Sequence, residues 1–207
     1  MQLPIPNTFL SFSGLRARGW TPVMVDRLLG EPDGLVRNPR YRAAAPARLY
    51  ARDRVRAAEA TPEFARLLAA ATRRSASARE AADRRRRVVL TRIAALRIPV
   101  PQLSRTVLAE RAVEHRNQRD EQRSWDRLDH VPNPATVADA DPAALTRWQV
   151  NYLRHVLTDY DALLDGLFGA TGRAEAERLL RRRVYEAIAI AYPMLREECC
   201  RQLAERY

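Results

Sequence analysis

Thr61–Pro101 reads TPEFARLLAAATRRSASAREAADRRRRVVLTRIAALRIPVP, and this stretch decides the fold. Threonine is a good N-cap and proline suits the first helical position, so a helix is expected to open at Pro62. Phe64, Leu67, Leu68, Ala71, Ala78, Ala82, Val89, Ile93 and Leu96 then keep helical spacing for roughly thirty residues, until Pro99 and Pro101 end it. The middle of the apolar stripe is thin, with alanine and serine where a core helix would carry leucine. A helix with so weak a central face is expected to be a connector surrounded by solvent.

Composition points the same way. The chain has 207 residues, 46% of them hydrophobic, and much of that fraction is alanine, the strongest helix former. Only seven glycines are present. A mainly α fold is expected. Cys199 and Cys200 are adjacent and unsuited to pairing with each other, which predicts a reduced, cytoplasmic protein. Met1–Phe12 lacks the basic and apolar regions of a secretory leader. No apolar run approaches the roughly 20 residues of a membrane span, so a soluble protein with no membrane partner is expected.

The charge is uneven. All 36 basic residues are arginine, against 25 acids, for a net charge of +11. GC-rich codon usage accounts for arginine in place of lysine, but not for its position. Residues 1–61 carry ten arginines and five acids, residues 62–130 sixteen and nine, and residues 131–207 ten and eleven. The whole excess therefore lies in the first 130 residues. A surface of that sign attracts polyanions, and guanidinium forks suit phosphate oxygens.

These shifts suggest three parts: residues 1–61, a long basic helix with a second polar helix over 62–130, and a C-terminal helical bundle over 131–207. In the first, Thr21-Pro22 opens a helix that Gly30 ends, Glu31–Gly34 forms a turn, and Arg48-Leu49-Tyr50 is extended before a second helix containing Val55. In the second, Ser104 restarts a helix that is nearly all polar beyond His115 and runs to about Arg127. Residues 130–141 form a linker. In the third, Asp141-Pro142 caps a helix through Leu145, Trp148, Tyr152, Leu153 and Val156. Thr158 with Asp161 resembles a capping box, and the last helix runs from Arg173 with a kink expected at Pro193.

Arg73–Arg92 concentrates the charge, with Arg73, Arg74, Arg79, Arg84, Arg85, Arg86, Arg87 and Arg92 against Glu80 and Asp83. As a helix it spans about 30 Å, comparable with one turn of duplex DNA. Three uses are open: a solvated face whose arginines pair with acids elsewhere, a phosphate-contacting face, or a surface for an acidic protein. Phosphate contacts would position a nucleic acid without reading its sequence.

The order of elements over Arg16–Phe64 resembles the MerR/excisionase-like winged-helix class. In that class an Arg-aromatic pair packs the wing on a helix opening with an Asp/Arg-Val pair, and Arg48, Leu49, Tyr50, Arg54 and Val55 occupy those positions here. The match covers about 45 residues. The resemblance implies a winged-helix-like N-terminal unit with a helix in the major groove of DNA. It also implies wing-type phosphate contacts from Arg37, Arg40 and Arg42, with Asn38 and Tyr41 bonding or stacking on bases. Arg52 and Arg54 join the expected contacts. Trp20, Leu28, Leu49, Tyr50 and Phe64 are expected to form a small core.

No catalytic motif stands out. Three histidines and two cysteines show no zinc spacing, and neither a Gly-rich phosphate loop nor G-x-S-x-G nor H-E-x-x-H occurs. Asn151–Asp161 gathers Arg154, His155, Thr158, Tyr160 and two aspartates, and resembles a string from uncharacterised bacterial proteins, which implies no activity. His155 as general base, oriented by Asp159 with Arg154 on a phosphate, is one reading; a structural histidine at a helix break is the other. Cys199 and Cys200, near Arg196 and Arg201, are read as core or boundary residues rather than reactive thiols.

The expectation is a non-enzymatic protein that binds nucleic acid, double-stranded DNA first, with no cofactor and no metal. Its contacts would be Arg37, Arg40, Arg42, Arg52, Arg54, Arg73, Arg74 and Arg84–Arg87, and its C-terminal bundle would mediate homo-oligomer formation or recruit a protein partner. The alternative is an adaptor or assembly protein whose basic helix binds an acidic protein. A phosphoryl-transfer enzyme centred on Arg154 and His155 is a third class, disfavoured by the lack of an acidic metal cluster.

Overall fold

The computed structural model describes residues 8–37, 45–127 and 129–205. It is mainly helical, with a small three-stranded sheet, and divides into two compact units, Met1–Ala81 and Ala82–Tyr207. That division falls inside the long helix, elsewhere than the composition boundaries at 61/62 and 130/131.

In the first unit, β1 (Phe9–Ser11) leads into α1 (Phe12–Ala17), whose N-cap Ser11 accepts a bond from the Gly14 amide at 3.3 Å. Helix α2 (Pro22–Leu28) follows, with Thr21 Oγ1 accepting from the Met24 amide at 3.3 Å and proline at its first position. Gly30 ends it at φ +64°, a left-handed conformation that glycine adopts without penalty. Strands β2 (Gly34–Val36) and β3 (Ala47–Ala51) pair antiparallel, Leu35 opposite Arg48, and β1 pairs antiparallel on the other edge of β3, Leu10 opposite Tyr50. Helix α3 (Arg52–Glu59) continues from β3.

The core of this unit is Leu15, Trp20, Met24, Val25, Leu29, Tyr50, Val55 and Phe64, around which Leu28, Leu67 and Leu68 pack. Trp20 sits 4.8 Å from the Phe64 ring, and its indole N–H donates to Glu59 at 2.9 Å. Glu59 also accepts from Arg18 Nε at 2.8 Å, and the Arg18 guanidinium holds this carboxyl below the usual range. The aromatic side chain therefore packs without leaving its N–H unsatisfied.

Helix α4 (Pro62–Ala95) is the long helix that the sequence predicts. Residues 72–80 are exposed on every side, in keeping with the thin apolar stripe there. Its C-terminal carbonyls are capped by Arg183, which donates to the Ile93 and Leu96 carbonyls at 3.0 and 2.8 Å.

The second unit continues with α5 (Arg105–Asp126), capped by Ser104, and α6 (Pro142–Tyr152), capped by Asp141, whose Oδ1 accepts from the Ala143 and Ala144 amides, each at 3.0 Å. Helix α6 passes into a π-helical turn, Leu153–Leu157, where the sequence suggests ordinary helix. The capping box is not formed: Thr158 Oγ1 donates back to the Arg154 carbonyl at 2.5 Å, and α7 (Tyr160–Asp165) starts without a side-chain cap. Helix α8 (Arg173–Ala191) stops before Pro193, a 3-10 turn spans Pro193–Leu195, and α9 (Arg196–Ala204) packs back on α8. The expected kink is thus a full break. Proline has no N–H to continue the ladder, and the Tyr192 hydroxyl is held by the Pro101 carbonyl at 2.7 Å and the Leu103 amide at 2.8 Å. Ile93, Leu108, Val150, Leu153, Leu180, Val184, Ile188 and Leu195 are central to this unit's core.

Candidate functional site

Helices α5 and α6 pack together, and beside their junction is a cleft of about 590 Å³. The first half of α5 buries Leu108, Ala109, Ala112 and Val113; beyond that point its inward positions become His115, Arg116, Arg119, Asp120 and Arg123. Helix α6 supplies Arg147, Trp148 and Asn151, and the π-helical turn supplies Arg154 and His155. Recurrence at three, four and seven residues keeps each set on one helix face. Short π-helical segments occur often at functional sites, and this one carries two cleft residues.

Asn117 and Asp120 fasten the segment between α5 and α6. Asn117 exchanges two bonds with Ala135, donating to its carbonyl at 2.9 Å and accepting from its amide at 3.0 Å. Asp120 accepts from the Asn133 amide at 2.8 Å and lies 2.9 Å from His130 Nε2; these contacts hold its carboxyl below the usual range. Arg116 donates to the Asn133 carbonyl, lies 3.5 Å from Asp120 and stacks 5.3 Å from the centre of the Trp148 ring. The polar half of α5 thus anchors residues 130–135, a use its sequence does not announce.

Five arginines and one acid line the cleft. Arg116 is engaged as above. Arg154, only 4% exposed, donates to His155 Nε2 at 3.0 Å and to the Tyr185 hydroxyl. Arg119, Arg123 and Arg147 are exposed and make no ion pair among the described residues. Because Nε2 of His155 accepts from Arg154, its Nδ1 carries the proton and donates to Asp161 at 2.9 Å. Asp161, and not Asp159, therefore orients this ring. Burial pushes His155 down from the ordinary histidine value, with Asp161 opposing. Burial likewise lowers His115, which Arg119 lowers further.

In the first unit, Arg37 is exposed after β2, while Arg40, Arg42, Asn38 and Tyr41 lie outside the described residues. Arg52 is half-buried. Arg54 is a tether: it donates to the Glu31 carbonyl at 2.7 Å, lies 3.2 Å from Asp33 and stacks on Tyr50, while Asp33 itself accepts from the Ala51 amide at 2.8 Å. Three arginines outside the expected set line grooves that reach the start of α2. Arg16 lines a groove with Thr21, Pro22 and Arg79, and Arg48 lines another with Pro22 and Asp26. Neither Arg16, Arg48 nor Arg79 makes an ion pair among the described residues.

Along α4, Arg73, Arg74, Arg84, Arg85 and Arg87 are exposed. Arg86 differs. Its Nε donates to Glu175 at 2.5 Å, and its aliphatic stem lies against Gly172. Of the four consecutive arginines, this one fastens the start of α8.

Arg119, Arg123 and Arg147 were legible only as spacing: Arg116, Arg119 and Arg123 share an α5 face, and Arg147, Asn151 and Arg154 an α6 face. Cys199 is buried and its thiol is pushed up to about 12 by burial, whereas Cys200 is exposed. Among the described residues no three His, Cys, Asp or Glu side chains converge to hold a metal ion, and no helix is long and apolar enough to cross a membrane. No family model, no curated protein and no solved structure matches this chain.

Proposed function

We propose that the first unit binds nucleic acid, double-stranded DNA in particular, by presenting α2 between arginines. The observation that carries this reading is the placement of Arg16 and Arg79 in one groove and of Arg48 in another, both grooves reaching Pro22 at the start of α2, all three arginines without an ion-pair partner among the described residues. Guanidinium groups beside an exposed helix face are suited to backbone phosphates that flank a groove. The element order also supports the winged-helix resemblance. Helices α1 and α2 follow one another in the chain, and the β2–β3 ribbon follows in the place of a wing, with Arg37 just after β2. In this reading Arg54 and Asp33 set the ribbon against α3, and Arg37, Arg48, Arg73 and Arg74 face the polyanion. The role is binding without catalysis.

Titration of a fluorescent duplex across salt concentrations tests it. Affinity should fall linearly on a log–log plot as salt rises, and Arg16→Gln with Arg48→Gln should reduce the slope by about one per lost phosphate contact. Weak, salt-insensitive association, or a double variant indistinguishable from the parent chain, would overturn the reading.

A further inference from the structure

We infer that the α5–α6 cleft of the second unit is a binding site for a small phosphorylated molecule, distinct in residues and location on the chain from the DNA surface proposed above. Its volume of about 590 Å³ is that of a small-molecule pocket, and it is far larger than a bare phosphate needs. The side chains divide into two sets. Arg116, Asp120, Arg154 and His155 are fixed by partners outside the cleft: the Asn133 backbone, His130, Tyr185 and Asp161. They form walls whose orientation is set before anything enters, the preorganisation that a selective site requires.

Arg119, Arg123 and Arg147 are the second set. Arg119 and Arg123 stand one turn apart, about 6 Å along α5, and Arg147 faces the cleft from α6. Each guanidinium offers a planar fork matched to phosphate oxygens. Asp120, the one acid in the lining, is occupied by Arg116, His130 and the Asn133 amide, so it offers little opposition to an incoming anion. Half-buried Trp148, Asn151 and His115 remain for the uncharged remainder of the ligand. Three forks from two helices match the spread oxygens of a diphosphate or phosphate ester better than one flat carboxylate. A concave lining of this size favours a small molecule over a duplex backbone.

Calorimetric titration of the full chain with pyrophosphate tests the assignment, with citrate and a short DNA duplex as comparison arms. Pyrophosphate should bind and raise the melting midpoint. Arg119→Gln with Arg147→Gln should weaken it by about tenfold for each arginine removed. Both side chains are exposed and without ion pairs among the described residues, so the fold should persist, as circular dichroism will check. Arg48→Gln should leave pyrophosphate binding unchanged even if duplex binding is lost, which separates this site from the proposed DNA surface. The assignment fails if pyrophosphate does not bind, if the double variant binds it equally, if citrate binds as tightly, or if the duplex displaces it.

Discussion

The Arg154 guanidinium donates to the Tyr185 hydroxyl, and that hydroxyl donates in turn to Gln202 Oε1 at 2.9 Å. Gln202 Nε2 continues to Glu198 at 2.7 Å, so a chain of polar groups runs from the cleft through α8 to α9. Arg154, Tyr185, Gln202 and Glu198 are all buried, and such a chain stabilises only while each member is satisfied.

Tyr185→Phe removes the middle of that chain while keeping the ring. It should destabilise the second unit by about 1–3 kcal/mol, the range for an orphaned buried partner. Chemical denaturation followed by circular dichroism measures this, and an unchanged midpoint would show the chain to be dispensable.

Gly172 has φ +81°, and a Cβ built there would stand 2.8 Å from Arg86 Cγ. Gly172→Ala should therefore cost about 1–2 kcal/mol through left-handed strain and displacement of the arginine stem. In an Arg86→Ala background the steric part should vanish and the backbone part remain. Equal penalties in both backgrounds, read from thermal melts, would locate the whole effect in the backbone.

His115 and His155 both sit below the ordinary histidine value, chiefly because they are buried. His115 faces Arg119, His155 and Tyr152; His155 faces Arg154, Asp161, Arg119 and Tyr160. The unfolded chain takes up these protons first. Their contribution is therefore complete above about pH 6.5 and is lost as pH falls below it. Melting midpoints between about pH 7.5 and pH 5.5 should fall less steeply for His115→Gln than for the parent chain. Parallel curves would rule out a contribution from His115.

Alkylation distinguishes the two thiols. Cys199 is buried with its thiol pushed up to about 12, and Cys200 is exposed. Iodoacetamide should add one group to the native protein, at Cys200, and two after denaturation, by intact mass. Rapid double labelling of the folded chain would contradict the packing of α9.

Arg48 and Arg54 should separate contact from scaffold. Arg54→Gln loses the bond to Glu31 and the pairing with Asp33, and should lower the stability of the first unit by about 1–2 kcal/mol. Arg48→Gln should change stability by under about 0.5 kcal/mol and show its effect in duplex affinity alone. A large stability loss at Arg48 would remove it from the proposed surface.

Helix starts were the most legible part of the chain, because Thr21-Pro22, Ser104 and Asp141-Pro142 each place a capping oxygen and the structure uses all three. The mainly helical character followed from the stripe that begins at Phe64. The sheet was half visible. Arg48-Leu49-Tyr50 reads as extended, but Phe9–Ser11 and Gly34–Val36 are three-residue strands, too short to show alternation. The cleft was hidden for a different reason. Arg119 and Arg147 belong to stretches 28 residues apart, and neither is notable until α5 and α6 pack together. Arg54 and Arg86 show the converse limit: composition records their charge, but only folding reveals that Asp33 and Glu175 already use it.

The guanidinium groups of Arg119, Arg123 and Arg147 are gathered on adjoining helices without a paired carboxylate among the described residues. Like charges so placed repel, and the Asn117 and Asp120 fastenings oppose any splaying of the segment beside them. The cleft thus concentrates positive charge beside a segment that hydrogen bonds already hold in place.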